Sequence, residues 1–187
     1  MIKKYFFPIV VLTFSNLVLS QSLLTNKNNF TEQDTLRGTI TPERAWWDLY
    51  FYDLKVAVQP DSKFISGSNT IRYTVLEENQ IMQVDLQPPL VIEKVVQDGE
   101  DLKINSKTNA HFITFKKRQE KGASNEVTIF YSGHPKEAVR APWDGGFSWK
   151  KDANDKDFIA TSCQGLGASV WWPNKDHMYD EVDSMAI

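Results

Sequence analysis

The stretch Tyr52–Gln59 reads YDLKVAVQ, and its alternation decides the fold. Tyr52, Leu54, Val56 and Val58 fall on one face, and Asp53, Lys55, Ala57 and Gln59 on the other. That two-residue period is the mark of a half-buried strand. Pro60-Asp61-Ser62 supplies a turn, after which Ile71, Tyr73 and Val75 alternate with Arg72, Thr74 and Leu76. Met82, Val84 and Leu86 form a further short strand closed by Pro88-Pro89. Leu90–Val96 and Leu102–Ile104 flank Gln97-Asp98-Gly99-Glu100, and Asp-Gly is a strong hairpin signal because both residues tolerate positive φ. His111–Phe115 and Val127–Tyr131 are additional β-branched and aromatic runs. No long amphipathic helix and no internal repeat interrupts the series. Many short strands with regular turns predict an all-β fold, an antiparallel saddle-like β-sandwich.

Upstream of this pattern the chain changes character twice. Met1-Ile-Lys-Lys is a basic start, and Tyr5–Leu19 (YFFPIVVLTFSNLVL) is an apolar run of fifteen residues broken by Pro8, Ser15 and Asn16. It is shorter than the roughly 20 apolar residues of a spanning helix. With Val18-Leu19-Ser20 as the cleavage region, residues 1–20 read as a signal peptide cut before Gln21. The mature chain is then exported, either secreted or periplasmic, with no membrane span. No cysteine follows the apolar run, so a bacterial lipid anchor at this point is excluded. Residues 21–45, rich in Ser, Thr, Asn and Gln, read as a loose polar leader, and Asn29-Phe30-Thr31 fits a glycosylation acceptor. Periodicity begins at Trp46, so residues 46–187 form the domain.

Composition narrows the function. The 187 residues are 41% hydrophobic and 24% charged, too apolar for a disordered tail and too polar for a membrane protein. The formal net charge is −3, and without residues 1–20 there remain 19 basic and 24 acidic residues, a net −5. An acidic chain without a basic cluster is no nucleic-acid binder. The single cysteine, Cys163, excludes an internal disulfide framework and a cysteine zinc finger. It lies in a strand-like run, Phe158–Gln164, with no local histidine to activate a thiolate, and reads as a small buried residue.

Searching for chemistry gives mostly exclusions. His111, His134 and His177 form no HExxH and no pair at helical spacing, so no metal site is expected in this chain. Neither a GxSxG elbow nor a phosphate-binding loop is present. Gly165-Leu166-Gly167 reads as a tight backbone passage, and Asn174–Asp183 as a polar loop. Six tryptophans, including the pairs Trp46-Trp47 and Trp171-Trp172, raise the question of a sugar-stacking platform. Adjacent strand residues point to opposite faces, so core packing is the expected use.

The last third carries the most specific signal. Its segments PWDGGFSW (142–149) and FIATSCQGLGASVWWPNKDHMYDEVDSM (158–185) closely resemble the amino-terminal β-domain of the aminopeptidase N family of zinc metallopeptidases. The upstream YDLKVAVQPDSKFISGSNTIRYTV (52–75) resembles the opening strands of that domain, and Tyr131-Ser-Gly-His-Pro135 its later strand and turn. The resemblance spans about Trp47 to Ile187. It implies a domain that packs on a thermolysin-like catalytic domain of the same polypeptide, in which GxMEN and HExxH hold the substrate amine and zinc. Neither motif occurs here, so no catalytic residue and no cofactor are expected in this chain. The family's strands are expected to continue past Ile187, where Ser184–Ile187 resembles the start of one.

One functional residue follows from the resemblance. In the CQG segment the family places a Glu or Gln that reaches into the cleft and binds the substrate's free α-amine. Its spacing to Pro173 assigns that position to Gln164, with Ser162 as the neighbouring subsite residue. The implied function is the substrate-cleft-forming domain of an exported zinc aminopeptidase acting on peptide N-termini. The alternative is a stand-alone secreted β-sandwich that binds peptide or glycan.

Overall fold

The computed structural model describes residues 31–187. The signal peptide, its cleavage point and the Asn29 acceptor lie outside the described residues. Strand β1 (Trp47–Gln59) turns through Pro60–Lys63 into β2 (Phe64–Val75), and the two pair antiparallel along their whole length. A register shift between Leu49 and Phe51 leaves Tyr50 without a partner on β2. This bulge changes the phase of the alternation, so Trp47 and Leu49 face the same core as Tyr52 and Leu54.

The expected all-β sandwich is present. One sheet has the order β11-β1-β2-β8-β4-β5, adding β4 (Val91–Gln97), β5 (Glu100–Asp101), β8 (Ser124–Gly133) and β11 (Ser184–Ala186). A second has the order β3-β7-β6, from β3 (Asn79–Asp85), β6 (Lys103–Lys107) and β7 (Ala110–Gln119). Pairing is antiparallel except between β1 and β11, which run parallel. Asp98 and Gly99, both at positive φ, form the two-residue turn between β4 and β5. The buried Leu102 carries the chain from one sheet to the other. Between the sheets lie Trp47, Leu54, Ile71, Tyr73 and Ile129 from one side and Met82, Val84, Ile113 and Phe115 from the other.

Residues 31–45 are not the loose leader that their polarity predicts. They fold into α1 (Glu32–Gly38), closed at its start by a Thr31–Asp34 capping box, and α2 (Pro42–Ala45). Both sit against the three-stranded sheet. Gln33 Nε2 donates to Asn109 Oδ1 at 2.9 Å, and Thr41 Oγ1 to Gln83 Oε1 at 2.7 Å. Arg44 is the anchor: 1% exposed, it pairs with Asp85 at 2.5 Å and donates to the carbonyls of Leu36, Arg37 and Thr39. A polar stretch without periodicity reads as solvated, and only partners distant in sequence reveal it as packed.

The last third adds a separate hairpin, β9 (Gly146–Lys151) and β10 (Asp157–Ser162), in which Ser162 pairs with Gly146. Trp46, Trp47 and Trp172 are buried, while Trp143 is 77% exposed. Trp46 and Trp47 can both point inward because Trp46 caps α2 and precedes the strand.

Candidate functional site

The residues predicted to meet substrate lie at the end of β10. Ser162, 8% exposed, is its last residue, and the chain then turns through Cys163–Gly167, with the Gly167 amide donating to the Cys163 carbonyl at 2.8 Å. Gln164 stands exposed in this turn. Among the described residues its carboxamide has no hydrogen-bond partner. The structure therefore separates the two by burial: Gln164 is presented to solvent, and Ser162 is packed beneath it in the chain. The strand ends at Ser162, so Cys163 falls in the turn and is exposed, correcting the expectation of a buried residue in a strand. Partial desolvation of its sulfur pushes the thiol above its usual pKa.

The turn is held from several sides. Gly167 has φ 73° and ψ −177°, backbone that only glycine adopts readily. A Cβ there would lie 2.2 Å from a carboxylate oxygen of Asp176. That carboxylate accepts the hydroxyl proton of Ser169 at 2.5 Å, and Ser169 Oγ in turn accepts from Gln87 Nε2 at 3.2 Å. From the opposite side the Arg37 guanidinium of α1 donates to the Gly165 carbonyl. The WDGGF segment abuts the same turn. Asp144 accepts from the amides of Val139 and Arg140 at 2.7 and 2.9 Å, which holds its carboxyl below the usual carboxylate range. Gly146 leaves room for the Lys136–Ala138 backbone, where any Cβ would come within 2.6 Å.

The stretch Asn174–Asp183 is a loop, as expected, yet its first two residues, Asn174 and Lys175, are buried. Lys175 Nζ donates to the Trp47 carbonyl and to Asp180, each at 2.5 Å, and lies 4.1 Å from the centre of the Trp47 ring. Burial lowers its pKa, opposed by the Asp180 carboxylate. Its backbone amide donates to the Tyr52 hydroxyl at 3.0 Å. Sequence reasoning missed Arg37, Lys175 and Asp176, since charged residues in a polar loop carry no periodic signal. A cavity of about 860 Å³ opens beside this loop, lined by Arg37, Tyr52, Trp172, Asp176, Glu181 and Met185 among others. Neither Ser162 nor Gln164 lines it.

The residues present do not fit a zinc site. Among the described residues no three of His, Cys, Asp and Glu converge. His111 bonds Ser106 and the Leu86 carbonyl, His134 packs on Phe64, and His177 Nδ1 accepts from the Tyr179 amide.

Comparison with family models and with curated proteins gives no match. Solved structures do share the fold. The M1 zinc metallopeptidase from Deinococcus radiodurans aligns with a TM-score of 0.55 at 19% identity, over 73% of this chain and 30% of that one. A mutant of an M1 zinc metallopeptidase from the same organism, bound to a Tyr-Ser-Ala substrate, gives 0.58 at 18% identity, over 77% and 32%. Leukotriene A4 hydrolase from Saccharomyces cerevisiae gives 0.53 at 15%, over 70% and 21%. At these identities the likeness is one of fold, and the chain spans less than a third of each protein's length.

Proposed function

We propose that this chain is the amino-terminal, cleft-forming β-domain of an exported zinc aminopeptidase, and that Gln164 receives the α-amine of the peptide. One observation carries the reading: an exposed carboxamide, free of partners among the described residues, on a turn clamped from several sides. The fold it stands on is shared with peptidases, one of them holding a tripeptide substrate. A carboxamide oxygen accepts a hydrogen bond from an ammonium group without adding charge to the site. Ser162, packed at the root of the turn, shapes the neighbouring subsite. Zinc and the groups that activate water belong, in this reading, to a catalytic domain of the same polypeptide. Export rests on residues 1–20 alone.

The test is Gln164→Ala in the intact enzyme. Losing one hydrogen bond to a charged group costs about 1.5–3 kcal/mol, so kcat/KM on aminoacyl substrates should fall roughly ten- to a hundred-fold. Unchanged kinetics would remove Gln164 from the site.

A further inference from the structure

Gln164 makes no hydrogen bond to a described residue, so its position depends on the turn that carries it. Gly165, the next residue, has its carbonyl engaged by the Arg37 guanidinium, 128 residues earlier in the chain. Arg37 itself sits in a helix with little freedom. Glu32 pairs with Lys107 at 2.7 Å and Gln33 donates to Asn109 at 2.9 Å, tying α1 to the end of the three-stranded sheet. The carbonyls of Leu36 and Arg37 accept from the buried Arg44 at 2.7 and 3.2 Å. The Leu36 carbonyl also accepts from Gln83 at 3.2 Å. Arg44 is in turn locked to Asp85, whose carboxylate receives the Asp176 amide at 3.3 Å. The same buried ion pair thus stands behind both supports of the turn, Arg37 at Gly165 and Asp176 at Gly167.

We propose that Arg37 is a positioning residue for Gln164: the helix preceding the sandwich fixes the turn and so sets where the carboxamide meets an amine. The inference rests on the reading of Gln164 as the amine acceptor. It gives the polar segment before Trp46 a role in ligand recognition. In this role Arg37 acts through the Gly165 carbonyl. Its guanidinium replaces conformational freedom in the turn with a charge-assisted bond to a backbone carbonyl, and recognition at a displaced or mobile acceptor is weaker because the turn must be ordered on binding.

Two measurements on the full chain test this, using Arg37→Ala, Arg37→Lys and Gln164→Ala. The first is amide hydrogen exchange at Gly167, whose N–H closes the turn. The Thr39 amide, which closes α1, and the Ile129 amide in β8 serve as controls. Loss of a charged hydrogen bond predicts exchange at Gly167 about tenfold faster in Arg37→Ala, unchanged controls, and partial recovery in Arg37→Lys. Unchanged exchange at Gly167 overturns the inference, as does equal acceleration at Thr39, which would make Arg37 a helix-stabilising residue only. The second is binding of the tripeptide Tyr-Ser-Ala against its N-acetylated form, followed by the side-chain amide resonances of the chain. Arg37→Ala should shrink the preference for the free amine by about tenfold, with Arg37→Lys intermediate and Gln164→Ala abolishing it. A preference lost in Gln164→Ala but intact in Arg37→Ala overturns the positioning role alone. A preference intact in Gln164→Ala overturns the amine-acceptor reading, and the positioning role with it.

Discussion

His111 shows how a single side chain couples the fold to pH. It lies on β7, 5% exposed, with Nε2 at 3.2 Å from the Leu86 carbonyl and Nδ1 at 2.8 Å from Ser106 Oγ. Burial lowers its pKa below the ordinary histidine value of 6.5, partly offset by the Leu86 carbonyl. The unfolded chain therefore takes up a proton near pH 6.5 that the native chain refuses. The stability this contributes is complete above that pH and declines as pH falls through the unfolded value toward the lower native one. Thermal melts from pH 8 to pH 5 should show this loss, and His111→Gln should flatten the slope below pH 6.5. An identical slope in the variant would assign the loss to other groups. Gln164 is the opposite kind of residue, exposed and with no hydrogen bond among the described residues, so its removal should change binding and leave the melt alone.

At the scale of elements, the Cys163–Gly167 turn separates two kinds of glycine. Gly165 and Gly167 both have positive φ, 74° and 73°. A Cβ on Gly165 meets nothing within 4 Å, whereas on Gly167 it collides with the Asp176 carboxylate. Gly167→Ala must both adopt a strained backbone, at about 1–3 kcal/mol, and displace Asp176 from Ser169. Gly165→Ala meets no such collision. Chemical denaturation should therefore rank Gly167→Ala clearly below Gly165→Ala in stability. Equal values would mean that Asp176 moves aside freely and does not clamp the turn. The same contrast explains why the GxG pattern reads as a tight passage: one of its glycines answers to a carboxylate nine residues downstream.

Over the whole molecule, the Arg44–Asp85 pair joins three units: the α1–α2 segment, the three-stranded sheet and, through the Asp176 amide, the loop below the candidate site. Arg44→Ala would leave Asp85 buried without its counter-charge, the Arg37 and Thr39 carbonyls without this donor, and the Leu36 carbonyl with Gln83 alone. Breaking a buried pair from one side costs about 3–5 kcal/mol, which for a domain of this size lowers Tm by roughly 6–20 °C. A hydrophobic replacement of both partners, Arg44→Met with Asp85→Leu, should recover much of that loss, because no buried charge then remains. A melt of Arg44→Ala within about 2 °C of the parent would show that water or rearranged side chains replace the guanidinium. Metal content belongs to this scale too: elemental analysis of the purified, chelator-washed chain should find no stoichiometric zinc, and one tightly held ion per chain would contradict the absence of a converging ligand set.

Periodicity is a local property, and wherever it governs the fold it can be read from the sequence. Tyr52–Leu54, Ile71–Val75 and Val127–Tyr131 each place alternate residues in the core, and Asp98-Gly99 forms its turn from two residues that tolerate positive φ. Those patterns determine an all-β sandwich with no reference to distant partners. The motif around Gln164 likewise marks a turn, because Gly165 and Gly167 carry backbone that other residues resist. What tertiary structure alone decides is the fate of charge. Arg44, Asp85 and Lys175 read as solvated in sequence yet lie at 1%, 1% and 5% exposure. Burying an ion depends on a counter-ion and on carbonyls supplied from elsewhere in the chain, 41 residues away for Arg44 and 128 for the Trp47 carbonyl beneath Lys175. The bulge at Tyr50 and the support of Gly165 by Arg37 are decided in the same way, since each exists only once separate segments meet.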